Sequence, residues 1–258
     1  MNKINHLFLV LFFSLWSVMT AFTQNLLEVK YEQTIKQFTA VTQSATLYYK
    51  DGKSMYIHSK GKKGNVMKNL DGSDWNEDLN TPFMTWYQDS IGAIVFKDYT
   101  NKVLKFRDFY EAKAYISQED FPTFKWTVTR EQKIVLGYTC YKAATQFRGR
   151  DYIAWFTMDI PVQAGPWKFW GLPGLILEAT DNTNQIKFIA QSISYVSDKT
   201  IDLAFPENGT KVDIATFRKL DDIVFEKMKR SYESKDYGRD VQISITKKKY
   251  DKIEKNYD

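Results

Sequence analysis

The side chains best suited to chemistry in this 258-residue chain lie between residues 148 and 181. The carboxylates of that stretch are Asp151, Asp159, Glu178 and Asp181. Two carboxylates brought close together can act as a general acid and a general base. More commonly such groups cap turns or pair with basic residues, and Arg148 and Arg150 are available for that pairing. On one face of a strand, the two arginines could also bind a carboxylate or phosphate group of a ligand.

The sequence contains few residues that could act as a nucleophile or bind a metal. Cys140 is the single cysteine, so no internal disulfide can form, and a buried, unreactive thiol is expected. Of the two histidines, His6 lies in the segment 1–23, which has the pattern of a removable signal, so His58 and Cys140 remain, and these two are too few for a zinc site. The sequence has no motif of the serine hydrolases, zinc proteases, dithiol oxidoreductases or phosphate-binding loops. It therefore predicts no metal and no cofactor, and it favours binding over catalysis.

Four large aromatic residues in the same stretch are the strongest candidates for binding: Trp155, Trp167, Phe169 and Trp170. They could wall an apolar cleft that takes a lipid, a peptide or a sugar ring. Alternatively, they form a plug in the core beneath a sheet. With Arg148 and Arg150, these four residues are the predicted ligand-binding set. A rigid backbone is predicted to hold them, through a structural motif that consists of Gly165, Pro166, Gly171, Pro173 and Gly174.

Two strands must position this aromatic stretch. Before it, every second residue is apolar, as expected of a strand with one buried face: Tyr152, Ala154, Phe156 and Met158. Pro161 brings no N–H to a sheet and ends that strand. Pro173-Gly174 fits the two central positions of a type II turn, in which the glycine takes a positive φ. Leu175-Ile176-Leu177 then re-enters the sheet, so the two strands are predicted to be joined by a stiff, aromatic loop.

The string GLPGLI, from Gly171 to Ile176, resembles the signature of the GLPGLI family of exported bacterial proteins. Further matching groups occur around it at fixed spacings: Gly137-Tyr138-Thr139-Cys140, Lys142-Ala143, Arg148 to Asp151, Ala154-Trp155-Phe156-Thr157 and Gly165-Pro166-Trp167. The resemblance covers residues 137–181. It implies an exported chain with a β-rich body. It implies no reaction, because the family has no agreed biochemical role.

Residues 1–23 have the features of a secretory signal peptide. Lys3 supplies a positive start, residues 7–16 are almost wholly apolar, and Ala21 and Thr23 are the small residues expected before a cut at Gln24. The apolar run is short for a membrane span, and no basic stop sequence comes directly after it. No cysteine lies near the cut to carry a lipid. The sequence therefore predicts one exported domain, residues 24–258, in the periplasm or at the cell exterior, with no lipid anchor and no membrane span.

Composition and pattern together predict a mainly β fold. Without residues 1–23 the chain has 35 basic and 31 acidic residues, a charge of +4 that is too mild and too dispersed to indicate nucleic acid as a partner. Aromatic residues make up 16% of the chain, which favours sheet, and Asp51-Gly52 is a strong hairpin signal. Apolar residues at helical spacing after Asp213, from Ile214 to Met228, predict one helix that docks on the sheet.

The predicted architecture is a curved antiparallel sheet or a partly open barrel of ten or more strands, with one C-terminal helix. The predicted strands cover 27–35, 45–50, 53–59, 83–88, 93–98, 102–107, 126–128, 132–136, 138–147, 152–158, 175–181, 186–196 and 241–245.

Three functions remain open at this stage. The first is non-catalytic binding of an apolar or extended ligand by the aromatic stretch. The second is an interaction module of an envelope assembly, which would use a sheet edge or the helix. The third is a hydrolase that uses Asp151, Glu178 or Asp181. The lack of a catalytic motif favours the first.

Overall fold

One sheet of twelve strands accounts for most of the chain that the structure describes. The computed structural model describes residues 26–36, 40–58, 89–110, 113–197, 203–233 and 254. The strands are β1 Leu26–Lys36, β2 Ala40–Lys50, β3 Lys53–His58, β4 Ile94–Asp98, β5 Val103–Tyr110, β6 Lys113–Asp120, β7 Thr127–Val135, β8 Tyr138–Phe147, β9 Arg150–Thr157, β10 Leu175–Asp181, β11 Ile186–Val196 and β12 Thr210–Lys211. Within these residues there is one helix, α1, which spans Ile214–Glu233. The predicted mainly β fold is confirmed.

The order across the sheet is β12-β6-β5-β4-β3-β2-β1-β11-β10-β9-β8-β7. Each pair is antiparallel except β12 with β6. β1 lies in the middle, because it pairs with β2 on one side and with β11 on the other. It joins an N-terminal wing, which consists of β2 to β6 with β12, to a C-terminal wing, which consists of β7 to β11. The sheet is open, since its outer strands β12 and β7 do not pair with each other.

The sheet must curl strongly, because distant strands meet. Nine strand spacings of about 4.8 Å separate β6 from β8, or about 43 Å if the sheet were flat. Yet Arg148, directly after β8, lies 2.9 Å from Glu119 of β6. Both wings also share one hydrophobic core, to which Phe106 of β5 and Tyr152 of β9 both belong. The sheet is therefore rolled almost into a barrel, and its inner face surrounds the core.

A second, smaller core covers the outer face of the N-terminal wing. Leu203 and Phe205 pack there against Met55, Ile94 and Phe96. The buried Arg107 holds the segment that contains Leu203 and Phe205 against the sheet. It donates to the carbonyls of Gly92 and Asn208, at 2.6 and 2.7 Å, and pairs with the carboxylate of Asp89.

Helix α1 docks on the inner side of the N-terminal wing, as predicted. Phe217 contacts the ring of Phe106 with 4.6 Å between centroids, and Leu220 is buried. Asp213 is the N-cap, since its carboxylate accepts a hydrogen bond from the Thr216 N–H at 2.8 Å. No helix in the described part of the chain is long and apolar enough to cross a membrane.

Several strand predictions need correction. The Asp51-Gly52 hairpin is confirmed, with positive φ at both residues. The segments predicted at 126–128 and 132–136 form one strand, β7, which bulges between Val128 and Gln132. β6 and β12 were not predicted, and the strands predicted at 83–88 and 241–245 lie outside the described residues. Met158 is half exposed rather than buried, because β9 ends one residue earlier.

The predicted type II turn at Pro173-Gly174 is wrong. Gly174 does not have a positive φ, and its N–H instead donates to the Leu172 carbonyl, two residues back, at 2.8 Å. Glycine is required there for space: a Cβ atom would lie 1.9 Å from the carbonyl oxygen of Thr157 in the neighbouring strand. The positive φ values of this region occur at Trp167 and Gly171.

Substitution of Gly174 tests this correction. Gly174→Ala is expected to lower the free energy of unfolding by about 3 kcal/mol, because the added methyl group overlaps the backbone of β9. Gly137→Ala is the matched control: it has a positive φ of 84° but no atom within 4 Å of its Cβ position, so it should cost only about 1–2 kcal/mol. Urea unfolding curves give both values. Equal losses for the two variants would contradict the steric explanation.

Candidate functional site

The segment between β9 and β10, residues 158–174, is called the internal loop because most of it lies inside the curl of the sheet. It is braced by its own backbone. Ala164 forms an isolated bridge with Trp170, and the N–H groups of Leu175 and Ile176 donate back to the Ile160 and Ala164 carbonyls at 3.0 and 2.9 Å. Gly165 packs so closely that a Cβ atom would lie 2.9 Å from Ile176. These hydrogen bonds and the close packing are the contacts that a stiff loop requires, while the stiffness itself stays a prediction.

A buried lysine anchors the internal loop to the N-terminal wing. Lys97 of β4 is 0% exposed, and its ammonium group donates to the carbonyls of Gly165 at 2.9 Å and Phe169 at 2.8 Å. Burial holds the pKa of Lys97 well below its usual value. Just after the loop, the hydroxyl of Tyr31 in β1 donates to the carbonyl of Ile176 in β10 at 2.6 Å. Two carbonyl groups of the buried loop, those of Gly165 and Phe169, are thus satisfied from the sheet.

Trp167 and Phe169 fill the core between the two wings. Phe169 is fully buried and meets the rings of Tyr152 and Phe188, with centroids 4.8 and 5.8 Å away. Trp167 stacks on Phe188 at 6.1 Å with an angle of 11° between the rings. Of the two alternatives drawn from the sequence, the core plug describes these two residues.

Trp170 has a different environment, at the end of the sheet where three connections meet. It forms part of a group of five half-buried rings that we call the aromatic corner: Tyr99, Phe121, Phe124, Trp126 and Trp170. Tyr99 follows β4, Trp170 belongs to the internal loop, and the other three rings lie between β6 and β7. The ring of Phe121 is 4.5 Å from that of Trp170 and 5.7 Å from that of Tyr99. The exposed Lys102 places its ammonium group 4.6 Å from the Trp170 ring centre.

Hydrogen bonds hold both indoles of the aromatic corner. The Trp126 N–H donates to the Trp170 carbonyl at 2.9 Å, and the Trp170 N–H donates to the Pro122 carbonyl at 2.6 Å. Gly171 is exposed beside them with a φ of 93°, and the nearest atom to its Cβ position is Trp126 Nε1 at 3.9 Å. The result is a fixed set of rings next to an open stretch of backbone.

Trp155 is not part of either group. Within β9 the buried residues Tyr152, Ala154 and Phe156 alternate with Ile153 and Trp155, so Trp155 points to the other face of the sheet. There the ammonium group of Lys133 lies 4.5 Å from its ring centre and 2.5 Å from the carboxylate of Glu178. The four aromatic residues predicted as one site therefore occupy three places.

The two predicted arginines also separate. Arg150 is buried and pairs with Asp181 at 2.7 Å, while it also donates to the side-chain carbonyl of Gln185 at 3.0 Å. Arg148 joins a group that we call the ionic cluster, which consists of Glu119, Arg148, Lys168, Arg218 and Glu254. Burial alone would raise the pKa of Glu119, but Lys168 and Arg148 outweigh it and hold that pKa below its usual value. Glu119 is therefore ionised at neutral pH.

The carboxylates considered for catalysis are engaged separately. Asp181 binds Arg150 and also accepts from the Ile186 N–H, and Glu178 pairs with Lys133. Asp151 accepts hydrogen bonds from the side chains of Gln146 and Asn182 at 3.1 and 3.2 Å. For Asp159, the contact that the structure shows is backbone only: its N–H donates to the Thr157 hydroxyl. These contacts correspond to the ion-pair and capping alternative.

Cys140 is a buried thiol, as the sequence predicts. Burial and the neighbouring carboxylate of Glu178 raise its pKa to about 11, so that it remains protonated at neutral pH. Among the residues that the structure describes, no group of three or more His, Cys, Asp or Glu side chains is arranged to hold a metal ion.

Several site residues were missed from sequence, although weak signals exist. Lys97 directly follows the apolar run from Ala93 to Phe96 in a predicted strand, and a charge in a strand that is otherwise buried is a signal for an internal partner. The run Phe121 to Trp126 places three aromatic residues within six positions. Glu119 and Lys168 carried no signal, because nothing local shows that residues 49 positions apart will meet.

The fold and the loop define a class: a one-sheet β protein in which the sheet curls around an internal aromatic loop. A family model described as "Protein of unknown function (Porph_ging)" matches residues 148–178, which hold β9, the internal loop and the start of β10. No curated protein matches the chain.

Among solved structures the fold is similar to PNGF-II. Structures of that protein in space groups C2 and P21 each align with a TM-score of 0.53 and 18% identity over 78% of this chain. The alignments cover 33% and 34% of those chains, so the chain spans about a third of the length of PNGF-II. At this identity the likeness concerns the fold alone.

Removal of the Lys97 ammonium group tests the anchor of the internal loop. Lys97→Met is expected to lower the free energy of unfolding by about 2–4 kcal/mol, since two buried carbonyl groups lose their donor. Lys125→Met, at an exposed position, is the matched control and should change it by less than about 0.5 kcal/mol. Chemical unfolding followed by tryptophan fluorescence measures both. A Lys97→Met protein as stable as wild type would show that the two hydrogen bonds are dispensable.

Proposed function

We propose that the protein is an exported envelope protein of the GLPGLI type, and that it binds an apolar or extended ligand at the aromatic corner without catalysing a reaction. The observation that carries the proposal is the corner itself: five half-buried rings, brought together from three connections and held by indole hydrogen bonds. Rigid aromatic side chains provide a large contact area at a low cost in conformational entropy. A preorganised surface of this kind is suited to binding.

The corner is favoured over the other aromatic positions for a physical reason. Trp167 and Phe169 are enclosed by core residues, so a ligand could reach them only if the core opened. Trp155 faces the other side of the sheet, where Lys133 lies over its ring. At the corner, by contrast, the exposed Gly171 lets a ligand approach the backbone next to Trp126 and Trp170.

A non-catalytic role is supported by the carboxylates. Asp181, Glu178 and Asp151 each have a different polar partner. A general acid and a general base would need to flank one reacting bond. The use of these groups as ion pairs and caps favours binding over hydrolysis.

Export is proposed from residues 1–23 and from the likeness to the GLPGLI family. This chain, expressed in a bacterial host that exports it, is expected to yield a mature protein that begins at Gln24. Intact-mass measurement of the periplasmic and extracellular fractions tests this. Ala21→Phe, which replaces a small residue required by the cleaving peptidase, should leave the precursor uncut. A mass that retains residues 1–23 in the wild type would contradict the proposal.

Ligand binding is tested with the mature protein and a dansylated fatty acid, a probe that is both apolar and extended. Trp126→Ala is expected to weaken binding at least about tenfold, which corresponds to about 1.4 kcal/mol, because it removes one ring of the corner and frees the Trp170 carbonyl. Fluorescence titration measures the dissociation constant, and native mass spectrometry of protein from its own envelope shows whether a ligand co-purifies.

Trp155→Ala is the matched control, since Trp155 is also half-buried but lies away from the corner. It should leave binding within twofold of wild type. Trp126→Phe keeps a ring and should retain most of the affinity if the contact is apolar. Circular dichroism confirms that each variant is folded. Equal binding by wild type and folded Trp126→Ala, or a larger loss in Trp155→Ala, would exclude the corner.

A further inference from the structure

Glu254, near the C-terminal end of the chain, places one carboxylate oxygen between two cations of the ionic cluster. Its Oε1 atom lies 2.5 Å from a guanidinium nitrogen of Arg148 and 2.9 Å from the ammonium nitrogen of Lys168. The side chains of Arg148 and Lys168 are only 11% and 7% exposed. A single anionic oxygen thus bridges two cations that are largely withdrawn from water.

Both cations are held in place by groups other than Glu254. Each also pairs with the buried Glu119, at 2.9 Å for Arg148 and 2.6 Å for Lys168. The Lys168 ammonium group lies 4.8 Å from the ring centre of Phe106. Arg148 has a positive φ in the tight turn before β9, and its guanidinium lies 5.0 Å from the ring centre of Phe147. Both donors are therefore held beside the Glu254 oxygen by contacts that do not involve Glu254 itself.

Convergent donors of this kind bind oxygen anions in general. Charge-assisted hydrogen bonds from guanidinium and ammonium groups are short and strong, and they match carboxylate and phosphate oxygens alike. Low exposure strengthens the attraction, because water screens it less. It also favours a second anion, since Glu119 alone is shared by Arg148, Lys168 and Arg218, and partly desolvated cations without enough negative charge are costly.

We propose that Arg148 and Lys168 form an oxyanion-binding site, for a carboxylate or phosphate group, which the chain's own Glu254 occupies. The site is separate from the aromatic corner and does not depend on the function proposed for it. Any ligand or partner with such a group competes with Glu254 for the same two cations. Binding of that group would release the contact between residue 254 and the internal loop.

The test removes Glu254 and offers an anion in its place. In the mature protein, Glu254→Ala is expected to gain thermal stability from inorganic phosphate in a saturable way, at ionic strength held constant with chloride. A single site gives a rise in Tm of roughly 5–9 °C when phosphate reaches about fifty times its Kd. In wild type Glu254 competes for the same cations, so the rise at the same phosphate concentration should be much smaller. A parallel titration with acetate distinguishes a site that prefers carboxylates from one that prefers phosphate.

Two further variants make the result specific. Glu207→Ala removes a carboxylate that pairs with Lys105 and Lys211 at the surface, and it should gain nothing from phosphate beyond the wild-type response. Arg148→Gln combined with Glu254→Ala should lose the saturable rise.

If Glu254→Ala does not fold in chloride, recovery of folding in phosphate or acetate becomes the readout. The proposal is overturned if phosphate and acetate both fail to stabilise or refold Glu254→Ala more than Glu207→Ala.

Discussion

The structure depends on a lysine ammonium group placed where there is almost no water. Such a group is costly to bury unless its donors find acceptors. Lys97 finds them in the carbonyls of Gly165 and Phe169, which lie 68 and 72 residues further along the chain. The requirement is mutual, because a loop inside a sheet cannot leave its own carbonyls unpaired. Sheet curvature and loop position are therefore coupled. In a flatter sheet the ammonium group and the carbonyl groups would both lose their hydrogen-bond partners.

That coupling explains why the rings of one loop have different uses. Once Gly165 and Phe169 are fixed above Lys97, Trp167 and Phe169 point into the space between the wings and complete the core. Trp170, only one residue after Phe169, emerges at the end of the sheet and joins rings from two other connections. The same backbone constraint thus provides both the filling of the core and the fixed outer surface for which binding is proposed.

Sequence reasoning reached the parts of the fold that are encoded locally. Alternation predicted β9, turn residues predicted the hairpin at Asp51-Gly52, and helical spacing with Asp213 predicted α1. Sequence reasoning failed where the role of a residue depends on a contact with a residue far away in the sequence. Gly174 looked like a turn glycine, but its requirement comes from the Thr157 carbonyl of the adjacent strand. Four aromatic residues close in sequence looked like one site, yet strand alternation and the path of the loop divide them. The contacts of Lys97 and Glu119 arise only when the sheet has curled.

The two edge strands of the sheet, β12 and β7, bear on the alternative hypothesis that the protein is an interaction module. Such a module would bind a partner by pairing an edge with a strand of that partner. An edge suited to strand addition is long, regular and apolar. β12 has two residues, and β7 is bulged between Val128 and Gln132, with Arg130 and Glu131 exposed at the bulge. Both features discourage a further strand from pairing. Away from β1, where the two wings are continuous, the region of β6 and the turn after β8 meet through side chains, as Arg148 and Glu119 show. Salt weakens ion pairs of this kind far more than it weakens a ladder of backbone hydrogen bonds, so this contact between the wings differs physically from the strand pairing within the sheet.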